Sequence, residues 1–332
     1  MTNTHAVTRI SVGKKVYLQT AKYQSVIFIC SGEEIKMKKE SIFKGAATAL
    51  ITPFTEDGVD YESFGRLIDW QIEQGINALV ISGTTGESAT MTQLEHKQVL
   101  SFAIDRIAGR VPVIAGTGAN ETSFAVELAK HACSAGADAC LVVTPYYNKA
   151  TQNGLVTMYN VIADASTKPI IVYEIPSRTG VTIQPETLVK IAQHPNIAAV
   201  KEASGNIAKI VDEFALLDGA LDIYSGNDDQ VIPLLSMGGA GVISVLSNLM
   251  PKATAQMCEK FFAGDVSGAA KMQCEFMPLI HALFSEVNPI PVKSAMAKMG
   301  FCKNILRLPL TPMEEAHEAK MFEIMKQFGL TD

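Results

Sequence analysis

From residue 45 onward the chain alternates between short runs of branched and small apolar residues and longer runs with apolar positions at helical spacing, repeating roughly every 30 residues. The apolar runs cover 46–52, 78–82, 113–116, 139–144, 170–174, 197–202, 222–225 and 241–245, and read as buried strands of a parallel sheet. Helical runs follow each of them, at 61–74, 93–108, 122–135, 151–165, 184–193, 207–217, 228–237 and 251–262. Eight such pairs are the number that closes a parallel barrel, so the expected fold is α/β, a (β/α)8 TIM barrel over residues 37–264. An open doubly wound sheet is the alternative, but its Gly-x-Gly-x-x-Gly turn is missing after the first strand.

Beyond residue 262 the alternation stops. Helices are expected at 266–284, 291–299 and 313–328, punctuated by Pro289, Pro291, Pro309 and Pro312. This C-terminal helical extension, 265–332, is too small for an enzyme of its own and is expected to pack on the barrel or on an adjacent subunit. Residues 1–36 differ again: Arg9, Lys14, Lys15, Lys22 and Lys36 face only Glu33 and Glu34. The apolar run 26–30 is shorter than a signal peptide's hydrophobic region and too short to span a membrane. The stretch is read as a disordered leader, or as an upstream extension before an internal start at Met37.

Barrels of this kind carry their chemistry at the carboxyl ends of the strands and in the loops that follow. The polar signatures fall there: GTTGES (83–88), GTGAN (116–120), TPYYNK (144–149), YEIPSRTG (173–180), KEASGN (201–206), SGNDD (225–229) and SVLSN (244–248). They are expected to converge on one mouth. Lys201 ends the buried run IAAV of the sixth strand. Burial strips water from an ammonium and enlarges the free-amine fraction, and a free amine attacks ketones, which makes Lys201 a candidate Schiff-base nucleophile. The alternative is a lysine whose stem covers apolar surface while its head reaches water.

Strand alternation supplies a geometric test. Ile171 and Tyr173 share one face of the fifth strand, and Ala199 and Lys201 one face of the sixth. If both faces point inward, phenol and amine are neighbours, and Glu202 turns outward as a structural partner. Forming an imine and removing a methyl proton require a proton shuttle. No histidine is placed for it, so the hydroxyls of Tyr173, Thr84, Thr85, Tyr146 and Tyr147 are the supply. Thr84 and Thr85 also occupy a Gly-flanked turn, either a carboxylate site or a plain tight turn. The planar fork of Arg178, just past Pro176, is read as a carboxylate clamp rather than a solvated side chain. Asp228 and Asp229 are expected to cap and charge a helix start rather than act as acid and base.

Composition narrows the partners. Hydrophobic residues at 48% and charged residues at 19% support a large core and argue against global disorder. A net charge of -6, with no Lys/Arg cluster interleaved with aromatics, makes nucleic acid an unexpected partner. The six cysteines show no C-x-x-C pair, which suits a reducing cytosol, and the six histidines show no H-x-x-x-H pair. Neither a metal nor a cofactor is expected.

Taken in this order and spacing, GTTGES, TPYYNK, Y-x-x-P-x-R-T-G and V-K-E-A-S-G resemble the dihydrodipicolinate synthase (4-hydroxy-tetrahydrodipicolinate synthase) family of the pyruvate-dependent class I aldolases, from about residue 37 to the C-terminus. The resemblance implies condensation of pyruvate with L-aspartate 4-semialdehyde, toward diaminopimelate and lysine, in a cytoplasmic homotetramer built from tight dimers. It implies Lys201 as the Schiff-base residue, Thr85 and adjacent backbone as holders of the pyruvate carboxylate, and Tyr173, Thr84 and Tyr147 as the relay, with Tyr147 reaching in from a neighbouring subunit. It also implies Arg178 on the semialdehyde carboxylate and backbone groups of Gly226 and Ile243 lining the site. Two departures stand out. Glu174 follows the tyrosine where many relatives carry asparagine, and tuning rather than loss is expected. In the family's lysine pocket, matched by Ser88, Ala89, His96, Asn120 and Tyr146, Gln93 replaces a common histidine and Phe124 a glutamate, so weak or absent inhibition by lysine is expected. The competing readings are a sugar-acid aldolase of the same superfamily and a non-catalytic barrel that binds a keto acid.

Overall fold

The apolar runs form eight parallel strands: β1 (Gly45–Ala49), β2 (Ala78–Ile81), β3 (Val113–Gly116), β4 (Ala139–Val143), β5 (Ile170–Glu174), β6 (Ile197–Glu202), β7 (Asp222–Ser225) and β8 (Gly241–Ser244). They pair in chain order, and β8 closes the barrel on β1 through Gly241↔Gly45 to Ser244↔Thr48. This computed structural model describes residues 39 and 41–332, and the backbone of three earlier strands, Val7–Val12, Lys15–Thr20 and Tyr23–Cys30, which pair antiparallel. The rest of the expected leader, including the internal start at Met37, lies outside the described residues.

Eight helices follow the strands: α1 (Tyr61–Glu73), α2 (Gln93–Ile107), α3 (Thr122–Ala135), α4 (Gln152–Ala165), α5 (Pro185–Ala192), α6 (Ile207–Leu217), α7 (Val231–Ser236) and α8 (Pro251–Phe262). Side chains start several of them by accepting from free N–H groups of the first turn: Asp60 from Ser63, Thr92 from Glu95, Thr151 from Gly154 and Asn206 from Lys209. The helix expected at 228–237 is divided. A 3₁₀ turn, Asp228–Gln230, precedes α7 because the backbone at Gln230 (φ -122°, ψ 18°) leaves the helical region.

Inside the barrel, small residues such as Ala47, Ala78, Ala139 and Ala199 leave room for the rings of Tyr173 and Tyr224. Phe43, on the segment entering β1, stacks on Tyr224 with centroids 4.2 Å apart, and the Tyr224 hydroxyl donates to the Phe43 carbonyl at 2.7 Å. The pair fills the amino-terminal side of the interior. The opposite, carboxyl-terminal end is the end left for a site. Outward-facing Leu79, Ile81, Val172, Val200, Ile223 and Val242 pack beneath the helices.

The extension folds as α9 (Val266–Leu283), α10 (Ile290–Lys298) and α11 (Glu315–Gln327). It packs on the mouth: α10 buries Val292, Lys293, Ser294, Ala295 and Met296, and Lys293 forms a buried ion pair with Glu87 of the β2 loop. Among the described residues no helix is long and apolar enough to cross a membrane.

Candidate active site

The strand register brings the amine and the phenol together. Tyr173 of β5 pairs with Lys201 of β6, and the Lys201 Nζ stands 4.4 Å from the Tyr173 ring centroid. Each residue is only 5% exposed. Ile171 and Ala199 lie beneath them in the barrel interior, so both faces point inward as alternation requires. Among the described residues Lys201 has no carboxylate within ion-pair distance, which separates it from Lys209 and Lys293, both buried in ion pairs. A snorkelling head is therefore not what the fold provides. Gly226 borders the same side chain: a Cβ there would stand 3.1 Å from Lys201 Cε and 2.7 Å from the Ala203 Cβ. A side chain at this position would force Ala203 to shift and crowd the lysine stem. Ile243 of β8 is buried in the same interior.

The β2 loop supplies the threonines. Four non-glycine residues on mouth loops have left-handed backbones, Ser82 (φ 56°), Glu87 (φ 57°), Tyr147 (φ 67°) and Lys149 (φ 34°), a cost usually tolerated only where surroundings impose it. In the turn 83–88, the N–H groups of Gly86, Glu87 and Ser88 bond back to Gly83 and Thr84. Those of Thr84 and Thr85 meet no acceptor among the described residues. Two adjacent free N–H groups beside two hydroxyls form a place for a carboxylate. Helix α2 does not follow directly, because a 3₁₀ turn at Ser88–Thr90 intervenes.

Thr85 is 2% exposed, and its Oγ1 accepts from Nδ2 of Asn288 at 3.0 Å. Thr84 is half-buried on the same loop. Arg178 lies in a helical turn, Pro176–Thr179, rather than an irregular loop, and its Nη2 donates to the Asn288 carbonyl at 2.7 Å. Arg178 is otherwise exposed. Tyr147 is not packed against Lys201 in this chain; it is 92% exposed at the tip of the β4 loop. The expected helix-capping role of Asp228 needs correction. Its Oδ2 accepts from Val245 and Leu246 N–H at 2.9 Å, so it caps the 3₁₀ turn after β8 rather than the start of its own helix. Burial raises its pKa above the usual carboxylate range.

Behind the amine and phenol, on the outer faces of the same strands, lies a second cluster. Lys209 of α6 bonds Glu174 at 2.7 Å, stands 3.5 Å from Glu202 and pairs with Glu213. Glu202 is thus the structural partner expected of it. The three carboxylates place ligand-type oxygens within 4.8 Å of one another, but the Lys209 ammonium already supplies the cation. In a second group Glu314 and His317 are exposed and Glu286 is half-buried. Burial, with help from Glu202 and Glu174 and against Lys209, pushes Glu213 up to about 8. Burial likewise raises Glu174.

This cluster makes stability depend on pH. An unfolded chain releases the Glu213 proton near pH 4.5, whereas the folded chain holds it to about 8. Folding binds a proton between those values, so the contribution is full at acid pH and lost as pH rises toward 8. Glu213→Gln is neutral throughout and keeps an acceptor for Lys209. Its stability advantage over the parent is expected to grow on the order of 1 kcal/mol per pH unit from about pH 5 to 8. Urea midpoints measured across that range check it, and parallel curves would refute the retained proton.

Asn288, Lys293 and the Lys209–Glu213 pair escape sequence reasoning. For Glu213 a signal exists: with Ile210 and Leu217 it falls on the buried stripe of α6, where a charge needs a partner. Asn288 has none, because its contacts join segments far apart in the chain.

The family model described as "Dihydrodipicolinate synthetase family" matches residues 42–328. The chain is 51% identical over 292 residues to the 4-hydroxy-tetrahydrodipicolinate synthase of Caldicellulosiruptor bescii, covering 88% of this chain and 99% of that one. Its fold superposes on the crystal structure of dihydrodipicolinate synthase from Aquifex aeolicus with a TM-score of 0.85 at 44% identity, covering 87% and 99% of the two chains. It superposes equally, TM-score 0.85 at 42% identity and 86% and 99% coverage, on the chloride-inhibited enzyme from Acinetobacter baumannii complexed with pyruvate.

Proposed function

The chain belongs to the dihydrodipicolinate synthetase family, and from that premise we propose that Lys201 is the amine through which it works. The reaction is the condensation of pyruvate with L-aspartate 4-semialdehyde to 4-hydroxy-tetrahydrodipicolinate, in lysine and diaminopimelate biosynthesis. The observation that carries the assignment is the Lys201 amine, buried and without a carboxylate partner among the described residues, 4.4 Å from the Tyr173 ring centroid.

That geometry supports the following order of steps. Pyruvate enters with its carboxylate on the Thr84 and Thr85 N–H groups and the Thr85 hydroxyl. The Lys201 nitrogen attacks the ketone carbon, and the Tyr173 hydroxyl, relaying through Thr84 and a neighbour's Tyr147, protonates the departing oxygen, so that water leaves and an imine forms. The Tyr173 oxygen, having given up its proton, takes one from the methyl group, and an enamine forms. Its carbon attacks the aldehyde of the second substrate, whose carboxylate is held by Arg178, and a carbon–carbon bond forms. The substrate amine then attacks the imine carbon, closes the ring and frees Lys201. Backbone groups of Gly226 and Ile243 line this space.

The exposed ring of Tyr147 supports a homotetramer in which it completes a neighbour's relay, and the scattered thiols support a cytoplasmic setting. Inhibition by lysine is weak in this reading: Phe124 offers no carboxylate, and Gln93 instead bonds Glu127, which Lys97 already neutralises at 2.5 Å. One assay tests the substrate and the lysine reading together. With pyruvate, turnover of aspartate semialdehyde should exceed cleavage of sialic or keto-deoxy sugar acids by at least about a hundredfold, and millimolar lysine should leave the rate within about twofold. Preference for a sugar acid would overturn the substrate, and strong submillimolar inhibition the lysine reading.

A further inference from the structure

We propose that Asn288, in the C-terminal extension, is a positioning residue that turns the Thr85 hydroxyl into a dedicated donor for the pyruvate carboxylate. The proposal rests on the role of Thr85 given above and extends it to a residue between α9 and α10. The Asn288 side-chain N–H occupies a lone pair of Thr85 Oγ1 at 3.0 Å in a buried setting. A hydroxyl that accepts there directs its own hydrogen elsewhere, and the free N–H groups of Thr84 and Thr85 mark where an anion would receive it. The same residue's carbonyl accepts from Arg178 at 2.7 Å. One residue of the extension thus touches the group that would hold each substrate's carboxylate.

A purely structural amide would be expected to use both ends. The Asn288 Oδ1 is buried and meets no donor among the described residues, so the side chain is only half satisfied. That is a poor way to stabilise a fold and a sensible way to orient one hydroxyl.

The test compares Asn288→Ala and Asn288→Asp with Thr85→Val and the Asn288→Ala/Thr85→Val double variant, reading KM for each substrate, kcat and Tm. Asn288→Ala should raise the pyruvate KM about tenfold with kcat changed less, at unchanged Tm. Asn288→Asp is nearly isosteric but accepts where the amide donates; it would turn the Thr85 hydrogen inward and add a like charge. Its pyruvate KM should rise further, about a hundredfold. In the Thr85→Val background Asn288→Ala should add little. Rescue by aspartate, or effects of the two single variants that multiply, would overturn the proposal. Borohydride trapping of pyruvate at saturation is run beside it. Its absence in the parent protein would remove the Schiff-base reading, while the KM order still decides the role of Asn288.

Discussion

Lys201→Ala should remain folded yet lose turnover by about 10⁴-fold or more, and treatment with pyruvate and borohydride should no longer add mass to the chain. In the parent protein the reduced adduct adds the mass of pyruvic acid less one oxygen atom, on one residue. Loss of the amine removes the covalent route itself, so no neighbouring group can take over at the same rate. Folding should survive because, among the described residues, Lys201 has no carboxylate within ion-pair distance; what disappears is the contact of its nitrogen with the Tyr173 ring and of its stem with Gly226. A change within about 1 kcal/mol is expected. Lys201→Arg separates charge from nucleophilicity, since a guanidinium keeps the positive charge but forms no imine. It should be as inactive as the alanine variant. An adduct that persists in Lys201→Ala, or activity within tenfold of the parent in Lys201→Arg, would end the covalent reading.

That residue was legible from the chain alone for a specific physical reason. A strand buried on both faces admits few charges, so a lysine at its carboxyl end stands out, and period-two alternation then fixes its neighbour across the ladder as Tyr173. The bounds of β5, β6 and β7 agree with the apolar runs for the same reason. The run 46–52 misleads at its end: Leu50, Ile51 and Thr52 stay buried, but the ladder stops at Ala49 and the chain turns into the short hairpin at Phe54–Thr55 and Gly58–Val59. Burial continues where pairing does not. Local pattern could not reveal partners brought in from elsewhere. Arg178 lies in the helical turn after β5, and its anchor is the backbone of Asn288. Tyr147 belongs to the relevant motif yet is exposed at the tip of its loop, and no periodicity there encodes that exposure. Lys293, in the run IPVKSAMAK, looks like an ordinary surface lysine among small residues.

Lys293 is nevertheless one of the residues that bond the extension to the mouth, and its removal should give the largest loss of stability. Its side chain and that of Glu87 are fully buried and paired, and Glu87 also accepts from the Arg307 N–H at 3.2 Å. The Lys293 ammonium and the Arg307 guanidinium both lie over the Phe54 ring, 4.2 Å and 4.1 Å from its centroid. Burial lowers the pKa of Lys293, and Glu87 opposes that. Lys293→Met conserves length and apolar volume but leaves the Glu87 carboxylate enclosed with one backbone donor. Breaking such a pair costs about 3–5 kcal/mol, or on the order of 10 °C in Tm. Because Glu87 stands two residues after Thr85, on a left-handed backbone, the loss should also show as a raised KM for pyruvate. Adding Glu87→Gln to Lys293→Met removes the stranded charge, and most of the lost Tm should return even though the ion pair is gone. If the single variant melts within about 1 kcal/mol of the parent, or the double variant is the less stable of the two, the extension is held to the barrel by its apolar contacts and the buried pair contributes little.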